Sequence, residues 1–240
     1  MAVHDAAVRH LEVNPPLCAR VRHHADIAGP LTEVWLVSSG ASLLEGDELT
    51  VRVELSGGAR VAVRSVSASV VHPCPGGGWA EWTLQAHLAD RSQLLWWPEP
   101  TVVAAGARYR ARSEVDVGPQ AALAWADEVV LGRTGEEPHQ LSVDIGVRIN
   151  RDGAAVLRDG LRSAPGWTAA AVTGGARYLG TRCLVGGASP TPPADGQDGQ
   201  DGWMALAASG CWSRRVLAPD PLVGRCELGA PASAEVVLAP

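Results

Sequence analysis

Leu141-Ser142-Val143-Asp144-Ile145-Gly146-Val147-Arg148-Ile149-Asn150 is the stretch that decides the fold. Apolar side chains occupy every second position, and Ser142, Asp144, Gly146, Arg148 and Asn150 fill the gaps. A period of two sends alternate side chains to opposite faces of an extended chain, so this segment reads as a strand with one face buried. Leu49, Val51, Val53 and Leu55 alternate in the same way with Thr50, Arg52 and Glu54, as do Trp82, Leu84, Ala86 and Leu88 with Thr83, Gln85 and His87. Turn formers separate the runs: Ser56-Gly57-Gly58, Pro75-Gly76-Gly77-Gly78, Gly118-Pro119, Asp152-Gly153 and Gly174-Gly175. The expectation is an all-β chain with little helix, ending in a hairpin of Trp203 to Ala208 and Cys211 to Leu217 joined at Ser209-Gly210.

An internal repeat refines this. Leu94, Trp96 and Glu99 return in order as Leu123, Trp125 and Glu128, each 29 positions later. Gly-Ala-Arg begins a strand at Gly58, Gly106 and Gly175. Repeats of this length point to stacked units, and the sequence therefore predicts an elongated, β-helical or solenoid-like body of stacked strands. One domain over residues 1–240 is expected, with a flexible loop at about 188–202, where Ser-Pro-Thr-Pro-Pro runs into repeated Asp-Gly steps.

Composition narrows the function. The 240 residues carry a net charge of −6, and the 20 basic residues are all arginine. That balance disfavours a nucleic-acid binder, whose affinity comes mainly from a basic surface. No apolar run approaches the roughly 18 to 20 residues of a membrane span. The first eleven residues lack the apolar core of a signal peptide, so a cytoplasmic location is expected. Cys18, Cys74, Cys183, Cys211 and Cys226 show no C-x-x-C spacing and read as free thiols rather than a zinc ribbon or a disulfide framework.

Nucleotide and hydrolase chemistry find no motif. A chain without lysine cannot carry a phosphate-binding G-x-x-x-x-G-K-[ST] loop, and no G-x-S-x-G elbow is present. His72-Pro73-Cys74 offers two metal-ligand types but only two ligands, and the segment reads as an exposed hairpin loop. His23 and His24, adjacent on a strand, point to opposite faces and do not chelate together. Both pairs read as surface residues. Carboxylates carry the stronger signal: Asp47 and Glu48 open a strand after Gly46, and Asp127 and Glu128 lead into Val129 to Leu131. Oxygen ligands hold a borderline divalent metal less tightly than imidazole or thiolate do, so spaced carboxylates suit passage of a metal better than storage. Most of the nine tryptophans read as core in a chain that has no phenylalanine, with Trp96-Trp97 a possible anchor for a partner.

The order of several segments resembles the UreD family of urease accessory proteins, also called UreH. They are Leu36 to Leu49 with its Gly46-Asp47 turn, Gly58-Ala59-Arg60 with Ser65 to Ala68, and Leu95-Trp96-Trp97-Pro98-Glu99-Pro100-Thr101-Val102-Val103. Gly106-Ala107-Arg108 follows, and then Trp125 through Glu128-Val129-Val130-Leu131-Gly132-Arg133. The resemblance implies a non-enzymatic scaffold and metallochaperone that binds apo-urease, UreF and the GTPase UreG. It implies no tightly bound cofactor, with nickel in transit through an interior channel. Asp47, Glu48 and Asp127 match acidic positions of that channel; Glu128 and Glu99 join them through the repeat, one rung apart, where their side chains would stack along one wall. Ser39, Ala41, Ser42 and Glu45 stand where the family has more glycine. A scaffold without a nickel path and a carbohydrate-binding or hydrolytic solenoid are the alternatives.

Overall fold

The computed structural model of the chain describes residues 2–4, 7–26, 29–38, 40, 43–136, 140–163, 168–169, 172–186, 203–206 and 210–229. The expected loop at about 188–202 lies outside them.

Alternating sequence becomes a chain that winds between two sheets. β4 (Gly29–Ser38), β6 (Arg60–Ser65), β9 (Gln93–Trp96) and β12 (Ala122–Leu131) lie side by side in a ten-stranded sheet. β5 (Glu48–Ser56), β8 (Ala80–Leu88), β11 (Arg108–Val117) and β13 (Ser142–Arg151) do the same in a seven-stranded sheet. Each strand comes back one coil later beside its predecessor, so all these neighbours are parallel. The result is a β-solenoid of about four coils, as the repeat predicts. Leu94 stands in register with Leu123, and Trp96 with Trp125, so the 29-residue spacing is one turn of the coil.

Antiparallel hairpins close both ends of the stack. At one end β1 (Ala2–His4) runs parallel to β5 and antiparallel to β2 (Ala7–His10), while β3 (Leu17–Asp26) pairs with β4. At the other, β14 (Ala154–Ser163) follows β13, and β15 (Tyr178–Val185), β17 (Cys211–Ala218) and β16 (Trp203–Ala205) extend the sheet beyond β12. One edge strand of each sheet is short, β2 with four residues and β16 with three, which limits edge-to-edge association there. The terminal hairpin is therefore present as β16 and β17, with residues 207–209 outside the description.

The Gly-Ala-Arg triplets owe their recurrence to the corners. Gly58, Gly106 and Gly175 all have positive φ, at 73°, 74° and 87°, a region that costs glycine nothing. Each lets the chain turn before Arg60, Arg108 and Tyr178 start or adjoin a strand.

Two short strands show where the wall loosens. β7 (Ser69–Val71) pairs with β10 (Thr101–Val103), and β10 pairs with the end of β12. Between the two paired stretches the chain takes six steps from Val63 to Ser69, five from Trp96 to Thr101 and four from Trp125 to Val129. β12 is thus unbroken, while the earlier coils carry extra residues that bulge from the ladder. Pro98 and Pro100 keep that bulge open, because proline has no N–H to give a neighbouring strand.

Three apolar clusters form. Two fill the coil, one around Leu84, Leu94, Trp96, Leu123 and Trp125 and the other around Leu43, Val103, Tyr109, Leu131 and Val143. The third lies on the outer face of the ten-stranded sheet, around Leu95, Trp97, Tyr178 and Leu228. There packs α1 (Pro221–Leu228), the one helix among the described residues. Asp220 caps it, accepting from the N–H groups of Leu222 at 2.8 Å and Val223 at 3.2 Å, and Pro221 begins it where a missing N–H costs nothing. Among the described residues no helix is long and apolar enough to cross a membrane.

Candidate functional site: an interior carboxylate and the helix behind it

Inward positions of β12 read Leu123, Trp125, Asp127, Val129 and Leu131. The row is apolar but for its middle member, which falls between the two interior clusters. Its outward row, Ala122, Ala124, Ala126, Glu128 and Val130, likewise contains one acid. Successive residues of a strand point to opposite faces, so Asp127 and Glu128 sit on the two sides of one sheet.

Asp127 faces a cavity of about 50 Å3 inside the coil, enough for a few water molecules. Trp82, Trp96 and Tyr109 form apolar walls and Ser113 faces it from the opposite sheet. Ser65, Ser67, Ser69 and Glu99 line the same cavity from the loosened corner. Burial raises the Asp127 carboxyl to about 6, and the nearby charge of Glu128 adds to the rise. Some of its surface remains accessible, but that surface borders the cavity. Burial, with Asp127 beside it, pushes the Tyr109 phenol well above its ordinary value, so Tyr109 keeps its proton and presents a neutral hydroxyl.

Glu128 is only 3% exposed. Its Oε1 accepts from Trp97 Nε1 at 2.9 Å, and its Oε2 accepts from the Tyr178 hydroxyl at 2.9 Å. Arg225 of α1 completes the shell with Nε 2.9 Å from Oε2. The same guanidinium reaches Glu99 Oε2 at 2.7 Å. Arg182 stacks over Trp97 with its guanidinium carbon 5.2 Å from the ring centre. The helix fits closely: a Cβ on Gly224 would stand 2.1 Å from Tyr178 Cδ1.

The five acids singled out in the sequence therefore occupy different settings. Asp127 faces the cavity and Glu99 lines its rim. The carboxylates of Glu99 and Glu128 both meet Arg225, which joins them from outside the coil. Asp47 shapes a turn, its Oδ2 accepting from Leu44 N at 2.7 Å and its carbonyl from Glu81 N at 2.8 Å. Glu48 is exposed and begins a row across the outer face of the other sheet, Glu48, Glu81, Arg110, Asp144 and Arg162. Neither Asp47 nor Glu48 lines the cavity. In that row burial works against the Asp144 carboxylate, but Arg112 at 2.8 Å and Arg162 at 3.3 Å hold it below its ordinary value.

Glu45 has a structural task. Its carboxylate accepts from the backbone N–H groups of Gly76, at 2.8 Å, and Gly78, clasping the Asp47 turn to the next coil. A Cβ on either glycine would collide with it. The larger residue in the turn is thus matched by two residues without side chains.

The histidine and cysteine pairs bond to other groups of the protein. His23 bonds to Thr32 at 3.1 Å and His24 to Glu33 at 2.8 Å. Cys74 is buried rather than exposed: its N–H donates to Gly106 and its sulfur accepts from Arg108 N at 3.4 Å. It belongs to the stacking of one coil on the next. Among the described residues no three His, Cys, Asp or Glu side chains come together as metal ligands.

Arg225, Trp97 and Tyr178 escape the sequence reading as partners of Glu128. Asp220-Pro221 followed by Gly229 is a cap, a first-turn proline and a stop, and that signal marks α1.

Comparison with known proteins gives this architecture a family. The family model described as UreD urease accessory protein matches residues 4–227. A urease accessory protein UreD of Streptomyces avermitilis is 35% identical over 179 residues, covering 73% of this chain and 69% of its own length. That of Streptomyces coelicolor is 30% identical over 217 residues, covering 88% and 84%, and that of Deinococcus radiodurans 30% over 196 residues, covering 78% and 70%. The chain belongs to the UreD family of urease accessory proteins, whose role is in urease maturation.

Proposed function

We propose that this chain matures urease as a non-enzymatic cytoplasmic scaffold and metallochaperone, which binds apo-urease together with UreF and the GTPase UreG and passes nickel to the urease active site. The observation that carries the nickel reading is Asp127, a lone acid in the inward row of the coil, facing a cavity whose rim is lined by serines. One carboxylate, aided by serine and tyrosine hydroxyls, attracts a divalent cation without enclosing it, and such weak oxygen sites favour transfer over retention. A proton affinity near neutrality lets Asp127 exchange a proton for a cation and take the proton back. Glu99 borders the rim with its carboxylate held by Arg225, so it shapes the path without serving as a second ligand. Asp47 and Glu48 lie off this cavity and act on the turn and the outer face.

A scaffold without a nickel path is the second reading, favoured by the placing of Asp47, Glu48 and Glu128 away from the cavity. Asp127→Asn separates the two. Nickel per urease active site falls on the first reading, with the variant still folded and still bound to its partners. An unchanged nickel count with the folded variant rejects the nickel path and leaves the scaffold.

A further inference from the structure

Three carboxylates gather along one stretch of the ten-stranded sheet, and a single arginine from outside the coil holds two of them. Asp127 looks into the cavity, Glu99 forms part of its rim, and Glu128 lies directly behind Asp127 on the other face. Arg225 reaches Glu99 with one terminal nitrogen and Glu128 with Nε. Its planar fork suits such a bridge, where a lysine would supply a point charge. Of the three acids, Asp127 alone has no arginine against it among the described residues.

We propose that Arg225 is a positioning residue that keeps the cavity a weak cation site: by holding Glu99 at the rim and neutralising Glu128 behind the strand, it leaves Asp127 as the one carboxylate of the three available to a passing divalent cation. The proposal rests on the reading of the cavity as a cation path. Its physical basis is the number of charged oxygens. Divalent-cation sites tighten as more carboxylates converge, and a cation held by two or three would stay where it must leave. Glu99 already lines the same space as Asp127. Freed from Arg225, its carboxylate turns toward the cavity, and Glu128 adds an uncompensated negative charge across the strand. The helix thus sets how strongly the interior holds a cation although no atom of it lines the cavity.

The test is titration calorimetry of the full-length protein with Ni2+ in a non-coordinating buffer, beside a circular-dichroism melt. Arg225→Gln binds Ni2+ at least about tenfold more tightly than the parent, since each freed carboxylate adds Coulomb attraction in a partly desolvated site. Adding Glu99→Gln removes most of that gain, leaving only the long-range attraction of Glu128. Loss of an arginine by structural damage alone gives weaker binding or none, so the sign of the change separates the two accounts. If Arg225→Gln does not fold because Glu128 is left charged and buried, Arg225→Gln with Glu128→Gln removes that charge, keeps a hydrogen-bonding side chain for Trp97 and Tyr178, and still binds Ni2+ more tightly than the parent by the part of the gain that Glu99 supplies. Affinity equal to or below the parent in a folded variant overturns the proposal. The cation-path reading fails differently: urease activation then ignores both Asp127→Asn and Arg225→Gln, whatever the calorimetry gives.

Discussion

Gly224→Ala is expected to destabilise a helix that general propensity says it should strengthen. In an exposed helix interior, alanine is favoured over glycine by about 1 kcal/mol. Here the new Cβ would stand 2.1 Å from Tyr178 Cδ1 and within 2.7 Å of two further ring positions. The ring has little room to retreat. Its hydroxyl is held by Glu128 at 2.9 Å, and Gly180 lies so close beneath that a Cβ there would itself meet the hydroxyl at 2.7 Å. Either the ring moves and Glu128 loses a donor, at about 1–3 kcal/mol for a buried group left unsatisfied, or the helix lifts. Lifting re-exposes Leu228, worth about 1.5–3 kcal/mol, and draws Arg225 away from Glu128. Set against the propensity gain, these costs leave a net loss of about 0.5–2 kcal/mol. For a chain of this size that lowers Tm by about 1–8 °C. A thermal melt followed by circular dichroism gives the number, and hydrogen exchange of residues 221–228 shows whether α1 is the part released. A Tm equal to or above the parent's, with α1 still protected, would refute the docking of Gly224 on Tyr178 and with it the placing of Arg225.

Glu45→Ala removes the clasp on Gly76 and Gly78 and costs about 1–3 kcal/mol; faster amide exchange at residues 75–79, with the far coils unchanged, is the signature. The pH profile of Asp127 follows from its raised value. Stability attributable to this group is fully present below its ordinary value of 3.8 and is lost as pH rises through about 6, so Asp127→Asn is more stable than the parent at neutral pH, by on the order of 1–3 kcal/mol, and urea titrations at pH 4 and pH 7 show the advantage only at the higher pH. Thiol labelling separates the cysteines: Cys226 is exposed and reacts first in the native protein, whereas Cys183, buried and with its thiol pushed up, reacts only on unfolding.

The solenoid was legible because its causes are local. Alternation dictates strands, glycine with positive φ dictates corners, and a 29-residue spacing dictates the coil, as Trp96 against Trp125 shows. The setting of the acids was legible in part. Asp127 could be placed inside from its row, since Leu123, Trp125, Val129 and Leu131 share its parity, and the same argument puts Glu128 on the other face. What the sequence did not carry was the partner. Arg225 lies 97 positions beyond Glu128, and nothing local links a guanidinium on a short helix to a carboxylate under it. The same holds for Glu45, whose meaning depends on glycines in the following coil. Cys74 read as exposed because it sits among turn formers, yet stacking of coils buries a corner as fully as a strand.

Urease activation, with nickel counted per active site in cells carrying the cognate urease genes with and without this chain, tests the central claim most directly. Loss of both activity and bound nickel without the chain, and recovery of both when it is supplied again, is the predicted result. Full activity and full nickel in its absence would contradict a role in urease maturation.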